Sequence, residues 1–123
     1  MVAIDLSGAS PPSDQIAGQL RAQIMTGRLA PGERLPTVRQ LARDLGVATG
    51  TVAKAYRLLE TEGLVHARAR AGTIINASPR ALPADVLTAA RALHDTAIRH
   101  GLDREQAIAA LTGMWDPQDH PAP

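Results

Sequence analysis

Apolar residues recur at intervals of three and four through the first half of the chain, and this spacing predicts three amphipathic helices. The first helix follows an extended arm, residues 1–12, which ends in two prolines. We expect Ser13 to cap this helix, Asp14 to interact favourably with its positive end and Gly27 to end it. Its buried face carries a branched apolar residue at every fourth position, namely Ile16, Leu20 and Ile24.

The next two helices are short and lie close together in the sequence. Thr37 and Gln40 have the spacing of a capping box at the start of the second helix, and Gly46 is suited to its end. The third helix is predicted over residues 49–62. Two short helices joined by a tight turn are typical of a helix-turn-helix. Their buried residues are predicted to be Leu41, Ala42 and Leu45, followed by Val52, Ala55, Tyr56 and Leu59.

Beyond Gly63 the pattern changes from a helical period to strict alternation, which predicts a β-hairpin. Polar and small side chains alternate from residue 66 to residue 71, so that His66, Arg68 and Arg70 share one face. The β-prone segment at 73–75 supplies the second strand. We interpret this hairpin as the basic wing of a winged helix.

The last third of the chain predicts two more helices after a linker at residues 77–82. The first of them begins near Pro83 and ends at Gly101. Asp103 and Gln106 form a second capping pattern, which opens a shorter helix. The residues of that shorter helix expected to face inward are Ala107, Ile108, Leu111 and either Met114 or Trp115.

These patterns predict a mainly α fold within the α+β class. The two-helix extension is too small to enclose a drug-sized pocket alone, so its apolar faces are expected to meet a second copy in a twofold homodimer. The residues predicted to form that contact are Val86, Leu87, Ala90, Leu93, Ala97, Ile98, Ile108, Leu111 and Trp115. The predicted segments are an arm at 1–12, a winged helix-turn-helix at 13–76, a linker at 77–82 that contains Pro79, the extension at 83–115 and a flexible tail at 116–123.

Composition is that of a globular protein, with 45% hydrophobic and 20% charged residues. Aromatic residues are only 2%, so the core must be aliphatic, which suits packed helices. The absence of cysteine excludes disulfides and agrees with a reducing cytoplasm. No stretch approaches the ~20 apolar residues of a membrane span, and the first residues lack the parts of a signal peptide. We therefore expect a cytoplasmic protein without a membrane partner.

Charge and motif content favour a binding protein over an enzyme. Residues 1–78 carry nine Lys or Arg and six Asp or Glu, whereas residues 79–123 carry four and six, so a polyanion is expected to meet the first part only. His94 and His100 do not share a helix face, and we expect no metal. The chain has no nucleophile elbow, P-loop or dinucleotide-binding glycine pattern, so we expect neither catalysis nor a cofactor.

An ordered set of short motifs runs through the first two-thirds of the chain: LAPGERLPTVRQLA at 29–42, LGV at 45–47, TV at 51–52, Leu59, EGL at 62–64 and GT at 72–73. This set resembles the N-terminal signature of the GntR family of transcription regulators. The resemblance covers residues 13–75, and the two C-terminal helices resemble the short dimerisation region of the YtrA-type subfamily. It implies a winged helix-turn-helix whose third helix enters the major groove of DNA, in a dimer that binds an inverted-repeat operator and represses transcription.

The resemblance also assigns three contacts with DNA. Arg39 matches the arginine of the family's Leu-Pro-Ser-x-Arg motif, Thr37 occupies its serine position, and Thr51 matches a threonine at the start of the recognition helix. The residue types add further candidates for DNA contacts. Hydroxyl groups and a glycine backbone could approach the bases, and cations could bind phosphates or enter the minor groove. These candidates are Thr49, Gly50, Lys54, Arg57, Arg68 and Arg70.

The chain departs from the family pattern where arginine would bind guanine, a contact that discriminates by about 1–3 kcal/mol. Ala48 and Thr49 stand where Ser-Arg or Asn-Pro is frequent, Ala53 replaces a recognition-helix arginine, and Arg70 replaces the wing glycine. We therefore expect an operator to be recognised through a few weak contacts and through DNA shape.

Simpler roles stay open for several of these residues. Thr49 is alternatively only a helix cap, and Arg68 and Arg70 alternatively only keep an exposed edge soluble. Tyr56 is expected in the core and Trp115 at an interface. For the whole chain, the alternative is a winged-helix protein-interaction module that does not bind DNA specifically. A small-molecule effector, the operator sequence and the regulated operon stay open as well.

Overall fold

The computed structural model describes residues 2–77 and 81–119 of the chain. Pro79, which was predicted inside the linker, and residues 120–123 of the predicted tail lie outside that description. Within the described part, no helix is both long enough and apolar enough to cross a bilayer.

The chain divides into two compact units, Met1–Leu82 and Pro83–Pro123. Among the described residues, the first unit contains three helices and a β-hairpin, and the second contains two helices. This order confirms the mainly α fold with a small β wing. The elements are α1 (Pro12–Met25), α2 (Val38–Leu45), α3 (Thr49–Thr61), β1 (Val65–Arg68), β2 (Gly72–Ile75), α4 (Ala84–Arg99) and α5 (Arg104–Met114).

One aliphatic core holds the first unit together, and the predicted faces of α1 and α3 both lie in it. The side chain of Arg21 on α1 also donates two parallel hydrogen bonds, each 2.8 Å, to the carboxylate of Glu62 at the end of α3. The buried core residues are Ile16, Ala17, Leu20, Ile24, Leu29, Leu35, Leu41, Ala42, Val52, Ala55, Tyr56, Leu59, Leu64, Val65 and Ile75.

The helix starts differ from the sequence predictions in three places. Ser13 does not cap α1: the N-cap is Pro11, and Pro12 begins the helix, where a missing N–H costs nothing. Thr49 is not a cap either, because Ala48 occupies that position without a side-chain bond. At α2, Thr37 Oγ1 accepts the backbone N–H of Gln40 at 3.0 Å, but the full box is not formed. The C-terminal prediction is confirmed, since Gly46 caps α2 in the left-handed conformation.

The N-terminal arm is extended, as predicted, and lies along α1. Its alternate residues Val2, Ile4 and Leu6 pack against the core. Three glutamines of α1, spaced four residues apart, hydrogen-bond to backbone groups of the arm, and we call this set of bonds the glutamine ladder. The glutamines and their partners are Gln15 with Gly8 and Ser10, Gln19 with Asp5, and Gln23 with Ala3.

We expect Gln19→Ala to lower the free energy of unfolding by about 1 kcal/mol, because both backbone groups of Asp5 lose their partner. The two bonds measure 2.8 and 2.5 Å. Urea unfolding followed by circular dichroism measures the effect. Gln40→Ala is the matched control, since the exposed Gln40 side chain lies outside this ladder and its loss should leave stability within about 0.5 kcal/mol. Equal stability of both variants would show that the ladder contributes nothing.

A one-residue β-bridge at Arg34 adds to the free edge of the wing, although the sequence pattern did not indicate it. Arg34 pairs with Ile74 in an antiparallel bridge flanked by backbone hydrogen bonds of 2.8 and 2.9 Å. On its other edge β2 pairs with β1, where His66 lies opposite Ile74. Alternation is the signal for a strand, and a single bridged residue is too short to display it.

The second unit is a helical hairpin with almost no core of its own. Asp103 and Gln106 form the predicted capping box at the start of α5. However, α5 has no buried residue in the single chain. Three of its predicted inward residues, Ala107, Ile108 and Leu111, line an open groove beside α4 and are not covered there. Residues 116–119 form a turn in which the backbone N–H of Asp119 donates to the Asp116 carbonyl at 2.8 Å and the Asp116 N–H donates to the Asp119 carboxylate at 3.1 Å. The indole N–H of Trp115 donates to the Asp119 carbonyl at 3.0 Å.

Candidate nucleic-acid interface

The exposed face of α3 is the largest part of the candidate interface. Val52 and Leu59 are completely buried, and 3.6 residues per turn place Gly50, Lys54 and Arg57 in one outward stripe on the opposite side. All three stripe residues are exposed. A Cβ added at Gly50 would meet no atom within 4 Å, so the backbone there is open to close approach. α3 can therefore bring bare backbone and two cations to one surface.

Thr49 and Thr51 flank the start of that stripe. Thr49 is exposed at the first helical position, and Thr51 is half-buried one residue beyond Gly50. The Thr51 backbone N–H donates to the Ala48 carbonyl at 3.0 Å. With no capping bond to make, the hydroxyl of Thr49 is free to contact another molecule.

Tyr56 fixes the loop before α2, a role that its expected place in the core did not reveal. Its hydroxyl donates a hydrogen bond of 2.6 Å to the carbonyl of Pro36. Burial raises the pKa of Tyr56 far above its usual value, so the phenol stays protonated and remains a donor. Tyr56 on α3 thereby anchors the residue directly before Thr37.

The start of α2 presents Thr37 and Arg39 to solvent. The Thr37 oxygen already accepts the N–H of Gln40, yet its hydroxyl proton remains available for donation. Arg39 lies in the first turn of the helix, two residues after this cap. The cap and the Tyr56 bond together hold this turn in place before any ligand arrives.

The wing carries Arg68 and Arg70, but they do not share a strand face as predicted. Arg68 ends β1, whereas Arg70 lies in the hairpin turn with a φ of 67°. Arg70 is the non-glycine residue with positive φ in the described part of the chain. This left-handed conformation costs a residue with a Cβ about 1–2 kcal/mol and points Arg70 away from the alternating pattern.

The cations of this surface have no carboxylate partners among residues 2–77. The ion pair of Arg21 with Glu62 lies at the end of α3 and uses none of these cations. The positive charges therefore stay available for an anionic partner. The predicted contacts concerned are Arg39, Lys54, Arg57, Arg68 and Arg70.

Residues 12–75 match the model of the gntR family of bacterial regulatory proteins. The chain belongs to the GntR family. It is 41% identical over 92% of its length to the HTH-type transcriptional regulator Rv1152 of Mycobacterium tuberculosis, of which the match covers 93%. Two other curated relatives are longer. The match spans 17% of the probable rhizopine catabolism regulatory protein MocR of Rhizobium meliloti and 58% of the transcriptional repressor YtrA of Bacillus subtilis.

Solved structures show the same relationship. YtrA from Sulfolobus acidocaldarius, a GntR-family transcription factor, is 35% identical, with a TM-score of 0.56 over 76% of this chain and 97% of that one. The AraR DNA-binding domain in complex with operator ORE1 is 25% identical, with a TM-score of 0.52 over 61% of this chain and 94% of that one. YtrA-type regulators are thus among the relatives of this chain, which confirms the resemblance predicted from the sequence.

Two departures from the GntR pattern have structural consequences. Arg70 adopts the backbone conformation for which the family glycine is suited, so the replacement trades backbone strain for a charge at the wing tip. Ala53 is half-buried beside the outward stripe of α3. Without an arginine there, Lys54 and Arg57 are the cations of this helix.

A groove of about 470 Å³ runs between α4 and α5, and its lining is mostly apolar. Of the predicted dimer contacts, Ala97 is already buried in the single chain and Leu87 is half-buried, and Ala97 also lines this groove. His94 and Asp95 form only an exposed pair at 3.0 Å. The predicted contacts that remain exposed are Val86, Ala90, Leu93, Ile98, Ile108, Leu111 and Trp115.

Proposed function

We propose that this GntR-family protein binds an inverted-repeat operator as a homodimer and represses transcription by occluding a promoter. The observation that carries the proposal is the outward stripe of α3, in which Gly50, Lys54 and Arg57 lie opposite the buried face. Such a stripe suits a helix in the major groove, because bare backbone approaches the bases while the cations meet phosphates. The complex of the similar AraR domain with an operator supports this assignment.

The start of α2 and the wing extend the proposed contact on both sides of α3. Arg39 would bind a base edge or an adjacent phosphate, and the Thr37 hydroxyl would donate to the backbone of DNA. Arg68 and Arg70 at the wing would approach the minor groove, where a narrow groove attracts arginine. Thr49 and Thr51 would add hydroxyl and methyl contacts with bases.

The exposed apolar surface of the second unit supports the homodimer. Ile108 and Leu111 are about half exposed, at 51% and 50%, and Trp115 is 60% exposed. Apolar side chains concentrated on one helical hairpin indicate an interaction surface. A twofold contact between two copies would cover them and would place two recognition helices on two half-sites.

Titration of a fluorescent random-sequence duplex at several salt concentrations tests the binding directly. We expect the logarithm of the association constant to fall linearly with the logarithm of the salt concentration, because bound phosphates release counterions. Selection of bound genomic fragments should then yield inverted repeats with half-sites about one helical turn apart. Absent or salt-independent binding would overturn the proposal and favour the protein-interaction alternative.

We expect Arg70→Gly to raise the free energy of unfolding by about 1 kcal/mol while weakening DNA binding. Glycine relieves the positive φ of 67°, whereas the lost charge removes a wing contact. Thermal unfolding and the duplex titration measure the two effects, and the salt slope should fall by about one for each bound protomer. Arg70→Asn is the control, since asparagine tolerates the left-handed region but carries no charge. Undiminished binding by both variants would remove Arg70 from the interface.

A further inference from the structure

Arg34 belongs to no predicted contact, yet the structure places it on the same wing as Arg68 and Arg70. It forms an isolated bridge with Ile74 of β2, in the type of antiparallel pair whose two side chains lie side by side. Ile74 in turn lies opposite His66, and Gly72 opposite Arg68. Arg34 therefore shares one face of the wing with His66 and Arg68.

Gly72 provides the space in which the Arg34 side chain lies. A Cβ added at Gly72 would lie 3.3 Å from Cδ of Arg34 and 3.6 Å from its Cγ. The distance to Cδ is shorter than an ordinary van der Waals contact. The aliphatic stem of Arg34 thus runs across Gly72 towards the hairpin turn. Because Gly72 also has a φ of 85°, another residue there would be strained as well as crowded.

Arg34 lines an open cleft of about 770 Å³ between the wing and the start of α2. Thr37 and Arg70 line the same cleft. The neighbouring carboxylate of Glu33 is engaged elsewhere, since it accepts the N–H of Ala30 at 3.1 Å. No ion pair in the described part of the first unit includes Arg34, so its charge is not neutralised by contact.

We propose that Arg34, laid across Gly72, is a further DNA-backbone contact that grips a phosphate between the wing and α2. The inference rests on the proposed function and adds a residue to it. A planar guanidinium suits a phosphate because it donates two parallel hydrogen bonds. A stem held against the wing loses less freedom on binding than one extended into solvent.

The test is titration of a random-sequence duplex with Arg34→Gln across a range of salt concentrations. We expect about threefold to tenfold weaker binding at moderate salt and a salt slope smaller by about one for each bound protomer. Arg34→Lys keeps the charge and should retain the slope of the parent protein. Arg99→Gln makes the same charge change on α4, where Arg99 donates to the Thr96 hydroxyl of its own helix, and should leave the slope unchanged.

The outcomes separate this inference from the proposed function. If the parent protein binds with a salt slope and Arg34→Gln has the same slope and affinity, the phosphate contact is wrong and operator binding stands. A weaker affinity with an unchanged slope also overturns it, because a lost phosphate contact must release fewer counterions. If the parent protein itself lacks salt-dependent binding, the proposed function fails. Circular dichroism confirms that each exposed substitution leaves the fold intact.

Discussion

Leu111→Glu is expected to convert the protein into a monomer and to weaken operator binding a hundredfold to ten-thousandfold. Leu111 is 50% exposed on α5 and lines the groove between α4 and α5. In the single chain a glutamate there can reach water, whereas a twofold contact would bury two unpaired carboxylates. Loss of the second half-site removes the gain of roughly 10²–10⁴ that comes from tethering two binding modules.

Analytical ultracentrifugation measures the oligomeric state, and titration of a selected operator fragment measures the affinity. Ala109→Glu is the matched control, because Ala109 is exposed on α5 and lies on the opposite side of the helix from Leu111. This control should remain dimeric, and its affinity for the operator should fall only slightly, because one negative charge has been added. A Leu111→Glu protein that is still dimeric would move the dimer contact away from this groove.

Strong periodic signals explain why most of the fold could be predicted. α1, α3 and α4 have long apolar repeats, and each lies within a few residues of its predicted range. The capping box of Asp103 and the left-handed Gly46 depend on local chemistry alone, so they too could be identified from the sequence. Local determinants of this kind need no knowledge of distant contacts.

The features that were missed depend on distant partners. The β-bridge at Arg34 exists because β2, about 40 residues later in the chain, offers a free edge. The glutamine ladder of α1 is equally invisible, because Gln15, Gln19 and Gln23 resemble an ordinary polar helix face until the arm lies against them. Ser13 and Thr49 were wrong as caps because a neighbouring residue took the N-cap position.

In the candidate interface, too, the features that depend on local sequence could be predicted and those that depend on distant partners could not. The exposure of Lys54 and Arg57 follows from helical spacing, so a sequence pattern was sufficient to choose them. Arg39 is exposed as well, but it was chosen through the resemblance to the GntR motif. Arg70 was correctly noted at a glycine position, but its turn conformation depends on where the hairpin reverses. Tyr56 was placed in the core without its bond to Pro36, since a loop carbonyl gives no signal in the sequence.

Arg39→Ala is expected to weaken binding of a selected operator on the order of a hundredfold. An arginine contact with a base edge is worth about 1–3 kcal/mol, and each dimer would lose two of them. Arg39 is exposed, has no ion-pair partner in the described part of its unit, and lies in a turn that is already held by Thr37 and by the Tyr56 bond. The unfolding free energy should therefore change by less than about 0.5 kcal/mol.

Comparing operator with random duplex decides what Arg39 contacts. A base contact predicts that the variant loses much more affinity for the operator than for the random duplex, so the specificity ratio falls. A phosphate contact instead predicts equal losses on both duplexes and a smaller salt slope. Arg99→Ala removes the same charge from α4 and should alter neither affinity. Because Ala48 and Ala53 supply no arginine, an operator preference that survives Arg39→Ala would have to come from DNA shape and the threonines of α3.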